Sequence, residues 1–159
     1  MTQHLRQLPA SLRAASEWPS VANYAQAARE LRALNGQLPP VRMALLASFT
    51  ADALIPILEV ETAQVGRAAI VYVGPFNAVQ QELLDPHSGC AAHQPDLVFV
   101  AQLLEDVCPP LAGNYLDLTP ADVEQLIGDT ISDLVAAVEI FRRHSQAAVV
   151  VHNFSLPRS

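Results

Sequence analysis

The chain has 159 residues, 51% of them hydrophobic, and carries a net charge of −7 from nine Arg, no Lys and sixteen acids. That length fits one core of ordinary size, no apolar run approaches the roughly 20 residues of a membrane span, and the acidic balance argues against tracking a nucleic-acid backbone. The first thirty residues hold no signal-peptide-like apolar stretch, so the default compartment is the cytoplasm. Cys90 and Cys108 belong to no metal-ligand or disulfide framework and are expected to be buried free thiols.

Residues 1–38 read as a helical segment punctuated by Pro9 and Trp18-Pro19. Ser20 is placed to cap a helix over Val21–Leu34, with Asn35-Gly36 closing it. Its apolar positions Val21, Tyr24, Ala28, Leu31 and Leu34 fall three or four apart, which makes one face a packing or dimerisation surface.

From residue 39 to 159 short apolar runs alternate with helical stretches. Val41–Ala47 is a buried-strand candidate, and Asp52–Leu58 begins a helix that Pro56 should interrupt. Ala68–Val73 is a second strand ended by Gly74-Pro75; Asn77–Leu84 is a short helix, Asp85–Gly89 a turn-rich loop, and Asp96–Gln102 a third strand. Pro109-Pro110 opens a loop. Thr119-Pro120-Ala121-Asp122 supplies an N-cap, a Pro at the first helical position and an acid in the first turn. The long helix that follows carries Val123, Leu126, Ile127, Ile131, Leu134, Val135, Val138 and Phe141 as one stripe, before a fourth strand at Ala147–Val151.

Alternation of this kind predicts a three-layer α/β domain, Rossmann-like or flavodoxin-like, with a mostly parallel sheet covered by helices on both faces. Ligands of such sheets bind beyond the carboxyl ends of the strands. There the sequence puts Ser48 and Thr50, Gly74 and Asn77, Glu105 and Asp106, and His152. Ser48 and Thr50 either cap a helix or project into the crevice, and only His152 is placed to act as a base on Ser48. Gly74 and Asn77 are either oxyanion donors or a tight turn followed by an N-cap. Glu105 and Asp106 either orient a base, hold a metal or are a solvated loop. His4, His87, His93 and His144 lack ligand spacing. Without GxGxxG, GxxxxGK[ST], DxDxT or any Lys, nucleotide-dependent chemistry has no support, and no cofactor or metal is expected in this domain.

The segments Leu45-Leu46-Ala47-Ser48-Phe49-Thr50, Tyr72-Val73-Gly74-Pro75-Phe76-Asn77, Gln81-Glu82-Leu83-Leu84-Asp85-Pro86 with Ser88, and Gln94-Pro95-Asp96-Leu97-Val98 with Glu105-Asp106 resemble the amino-terminal region of FkbH-like proteins. The resemblance implies a part in loading a glyceryl unit onto an acyl carrier protein in polyketide biosynthesis, with the chemistry in a carboxyl-terminal domain of the haloacid dehalogenase type. Those two are the implied partners, and self-association is a further possibility.

The amino-terminal region of that family is similar to SGNH hydrolases, which would make Ser48 the nucleophile and Gly74 an oxyanion donor. Ala47 stands where an Asp should precede the Ser, Gln102-Leu103-Leu104-Glu105-Asp106 replaces the later Asn motif, and His152 is on the wrong strand for the usual base. The expectation is therefore an accessory domain that positions partners, with an esterase or acyltransferase using Ser48 as the alternative.

Overall fold

The computed structural model describes residues 10–33 and 38–153, and the chain forms two compact units. The first takes the residues up to Met43 together with Ala51–Val71; the second takes Ala44–Thr50 and the residues from Tyr72 on. Four parallel strands make one sheet: β1 (Pro40–Ala47), β2 (Ala68–Val73), β3 (Leu97–Ala101) and β4 (Ala148–Val151), in the order β2-β1-β3-β4. Met43, Ala44, Leu45, Leu46 and Ala47 are all buried. Successive side chains point to opposite faces, so this central strand is covered on both, as the sequence predicts for a three-layer α/β fold.

In the first unit α1 (Ala10–Glu17), α2 (Val21–Ala33) and α3 (Ile55–Gln64) share a core of Leu12, Ala15, Tyr24, Ala27, Ala28, Val60 and Ala63. The Ser20 hydroxyl accepts the Asn23 N–H at 3.1 Å and so caps α2 as expected. Val21, however, is 65% exposed, and small Ala27 takes the buried place beside Tyr24. The Tyr24 hydroxyl donates to Glu61 at 2.6 Å, and that bond raises its pKa. Leu34 and Asn35-Gly36 lie outside the described residues.

Pro56 does not interrupt a helix. A 3₁₀ turn at Asp52–Leu54 hands over to α3, and Pro56 sits in its first turn, where its missing N–H costs nothing. The helix ends on Gly66 at φ 78°, with Gly66 N–H bonded to Ala63 O and Arg67 N–H to Thr62 O, a Schellman cap.

The second unit contains α4 (Val79–Leu84), α5 (Gly89–His93), α6 (Leu104–Val107), α7 (Pro109–Gly113) and α8 (Pro120–Phe141). Its core joins Ala44, Leu46, Val98 and Val100 of the sheet to Val79, Leu83, Cys90, Ala137 and Phe141 of the helices. Pro109-Pro110 begins a helical turn instead of a loop, since the first turn of a helix tolerates Pro. Thr119 and Asp122 form a full capping box at the start of α8, and the Thr119 hydroxyl holds the Asp122 pKa down. The apolar stripe of α8 divides. Ala137 and Phe141 are buried, whereas Ile127, Ile131 and Val135 are 44%, 55% and 50% exposed. β4 runs parallel to β3 with Leu97 opposite Ala148 and Val100 opposite Val151. No described helix is long and apolar enough to cross a membrane.

Candidate functional site

From β1 the chain moves outward to β2 on one side and then returns to lay β3 on the other, so the topological switch point lies between β1 and β3. Ser48 follows the last residue of β1 at this point. The residue is 2% exposed, its Oγ accepts the Leu103 N–H at 2.9 Å, and its own N–H donates to Ala101 O at 3.1 Å. The residue therefore stitches the end of β1 to the end of β3. Neither Ser48 nor Thr50 caps the following turn, whose N-cap is Ala51 with no side-chain bond.

The Gly74 N–H donates to Leu45 O at 3.0 Å, continuing the sheet. A Cβ added there would meet Leu46 Cδ2 at 2.8 Å, so close packing explains the glycine. Asn77 adopts the left-handed conformation at φ 52°, which Asn tolerates better than most residues, and its N–H donates to Ala47 O. It is not the N-cap of α4; Ala78 holds that place. His152 is exposed at the end of β4 and its N–H donates to Val100 O at 2.8 Å. β3 lies between β4 and β1, which sets the His152 and Ser48 backbones about two strand spacings, roughly 9.6 Å, apart.

His93 stacks on Tyr72 and His144 meets Phe141 edge-on, which accounts for two of the scattered histidines; His4 lies outside the described residues. Among the described residues no group of His, Cys, Asp and Glu is arranged to hold a metal. Both cysteines are buried free thiols.

The segment Gln81–Pro86 with Ser88 forms a buried polar knot. Glu82 is only 7% exposed, and its Oε2 accepts the Cys90 N–H at 2.7 Å and the Tyr72 hydroxyl at 3.2 Å. Ser88 Oγ donates to Glu82 O and accepts the Ala91 N–H, capping α5. Asp85 closes the turn by accepting the His87 N–H on Oδ1. Burial and the adjacent Glu82 charge push the Tyr72 pKa up to about 12 and that of Cys90 up to about 11. A Cβ at Gly89 would collide with the Tyr72 hydroxyl, so this turn admits only glycine without rearrangement.

Beyond the carboxyl ends of β2 and β3, a crevice of about 440 Å³ opens beside α4 and α8. Asn77, Gln80, Gln81 and Gln102 give it four amides, Asp106, Asp129 and Asp133 give it three carboxylates, and Val79, Leu126 and Leu134 give it an apolar wall. Asn77 alone of the four site residues expected from the sequence lines it. Glu105 and Asp106 are exposed on α6, and only Asp106 reaches the crevice. Gln80, Gln81, Asp129 and Asp133 were not legible as site residues, because only folding brings the α4 and α8 surfaces together.

No family model matches the chain, and no curated protein matches it. Among solved structures, the chain is similar to the N-terminal part of the protein BF1531 from Bacteroides fragilis, a fragment containing a phosphatase domain and solved in complex with Mg. The TM-score is 0.64 at 15% identity, over 87% of this chain and 34% of that one. At that identity the likeness establishes the α/β fold, and the chain spans about a third of the length of the structure it resembles.

Proposed function

We propose that this chain is an accessory α/β module of a larger phosphatase-type protein, one that positions partners and leaves the chemistry to another domain. The observation that carries this reading is the buried Ser48 hydroxyl, which accepts the Leu103 N–H and joins two strand ends. A nucleophilic serine needs a base within hydrogen-bond reach and an oriented oxyanion hole. Here the base expected from the sequence, His152, sits across an intervening strand, and the Gly74 N–H is spent on Leu45 O. The fold likeness to a longer fragment that contains a phosphatase domain supports the same reading.

On the resemblance to FkbH-like proteins, the partners are an acyl carrier protein and a haloacid-dehalogenase-type domain, in the loading of a glyceryl unit for polyketide assembly. Calorimetric titration of the chain with a carrier protein and with the separately expressed phosphatase-type domain tests it. Saturable binding to either supports the module; binding to neither overturns it. An esterase activity towards short acyl esters that disappears in Ser48→Ala would overturn it as well, in favour of the hydrolase alternative.

A further inference from the structure

We infer that the chain forms a two-fold symmetric dimer, in which β4 pairs antiparallel with the β4 of a second copy and the two α8 helices pack side by side on one face of the joined sheet. The inference does not depend on the accessory-module reading.

β4 ends the sheet, and among the described residues no strand covers its outer edge. The Ala148 and His152 N–H groups donate to Asp96 O and Val100 O on the β3 side. With the period of two along a strand, Val149 and Val151 therefore turn their N–H and C=O groups to the open side. Natural sheet edges are guarded by Lys, Pro, bulges or inward-pointing charges. β4 reads Ala-Val-Val-Val in unbroken register with β3, with Val150 and Val151 exposed, and carries none of these guards.

The helix α8 extends this apolar edge. Val79 and Leu83 of α4 and Ala137 and Phe141 of α8 pack on the same strands, and α8 runs from β3 to β4, so it is the outer helix on that face. Asp129 and Asp133 face the crevice that α4 borders. Two residues along a helix turn through about 200°. Exposed Ile127, Ile131 and Val135 thus occupy the flank of α8 away from α4, over the β4 edge.

A second copy is the occupant because this surface is complementary to itself. With the axis through Val150, Val149 of each copy exchanges both backbone bonds with Val151 of the other, and the two Val150 side chains meet. On α8, Glu124 and Arg142 stand about five turns apart on the line of the apolar stripe, and neither has an ion pair among the described residues. Antiparallel helices centred midway between Ile131 and Val135 set each Ile131 against the other copy's Val135. The same axis sets each Glu124 against the other copy's Arg142, so two opposite-charge pairs bracket an apolar centre. Asp129 and Asp133, which would repel their counterparts, lie on the far flank. Helices pack about 8–10 Å apart, close to two strand spacings, so joining the β4 edges brings the α8 helices to contact distance.

Sedimentation velocity of the full chain over a concentration series should reveal a species of twice the 17.1 kDa monomer mass. Val150→Lys and Ile131→Glu, both at exposed positions, should each raise the dimer Kd at least tenfold while keeping the circular dichroism of the parent. Glu124→Arg and Arg142→Glu should each weaken the dimer at least threefold. The two together should return it to within twofold of the parent, because the exchanged charges match again.

The strand register has a covalent readout. A non-hydrogen-bonded antiparallel pair brings its Cα atoms to about 4.5 Å, within disulfide reach. Val150→Cys should therefore cross-link to itself under diamide, which takes up the two thiol hydrogens. Ala148→Cys, about 13 Å from its own counterpart, should not. The parent, whose Cys90 and Cys108 are buried, is the control. A parent that is monomeric at every concentration overturns the inference and leaves the edge to a strand of another protein. A dimer that Val150→Lys and Ile131→Glu both leave intact, a double charge variant no tighter than the single ones, or equal cross-linking at residues 148 and 150 overturns it as well.

Discussion

The Ser48 hydroxyl and the Leu103 N–H, 55 residues apart in sequence, meet at 2.9 Å across the carboxyl ends of β1 and β3. This is the switch point of the sheet, where a doubly wound fold places its ligand, and the structure fills it with a structural bond. The open space lies to the side, between α4, Gln102 and α8. A serine at a strand end is thus a fastening here, and the hydrogen-bonding groups available to a ligand are amides and carboxylates.

Ser48→Ala leaves the Leu103 N–H without its acceptor in a part-buried position. An unsatisfied buried donor costs about 1–3 kcal/mol. Urea denaturation should show a lower midpoint at unchanged slope for this variant. A midpoint equal to that of the parent would mean that the bond is dispensable.

Glu82 fastens three pieces of chain, so its variants should rank in a definite order. Glu82→Ala removes the acceptor of both the Cys90 N–H and the Tyr72 hydroxyl and leaves a cavity, whereas Glu82→Gln keeps a carbonyl oxygen in place. The Ala variant should lose about 2–4 kcal/mol, from one stranded buried donor and the lost packing together, and the Gln variant clearly less. Equal losses for the two would show that neither the retained volume nor the retained carbonyl oxygen matters at this site, and that the ionised carboxylate does.

Much of this architecture was legible in the sequence because local chemistry and tertiary context agree there. The Ala68–Val73 strand, the Ser20 cap and the Thr119-Pro120-Ala121-Asp122 helix start appear as predicted, each resting on a signal within a few residues. Pro56 and Pro109-Pro110 misled because Pro breaks a helix interior but favours a first turn, and the sequence alone does not say which turn it occupies. The α8 stripe overstated burial, since periodicity marks an apolar face without fixing how far along its length something covers it. The site residues fared worse. Ser48 and Gly74 stand at the expected strand ends, yet the hydrogen-bond partners that occupy them come from distant segments. The segment Gln81–Pro86 with Ser88 carries a family resemblance in sequence, and its physical content, a carboxylate buried under Tyr72 and Cys90, needs a fold to be seen.

Thr119 heads the longest helix, and its hydroxyl accepts the Asp122 N–H while the Asp122 carboxylate accepts from Thr119. Thr119→Ala removes one half of this box and should cost about 1 kcal/mol. The same box makes an acid-side prediction. The Asp122 pKa is lowered, so its contribution is present above the ordinary aspartate range and is lost as pH falls through the lowered value. Melting curves of the parent should therefore converge on those of Asp122→Asn as the solution is acidified, and curves that stay parallel would refute the assignment.

Cys90 and Tyr72 make the opposite, alkaline prediction. Burial and the Glu82 charge raise the Cys90 pKa from 9.0 to about 11 and the Tyr72 pKa from 10.0 to about 12, so the folded state holds both protons more tightly than the unfolded chain does. Their contribution is complete below pH 9 and drains away as pH rises through the folded values, because the unfolded state gains by ionising first. The parent should lose stability between about pH 9 and 11 more steeply than Cys90→Ala, which has no thiol to ionise, and a chemical-denaturation series across that range measures the difference. Native Cys90 should also resist iodoacetamide at pH 8 and react only after unfolding, since the thiolate is the nucleophile and both pKa and burial withhold it. Parallel pH profiles for the two proteins, or rapid alkylation of Cys90 in the native state, would show that the knot around Glu82 is open in solution.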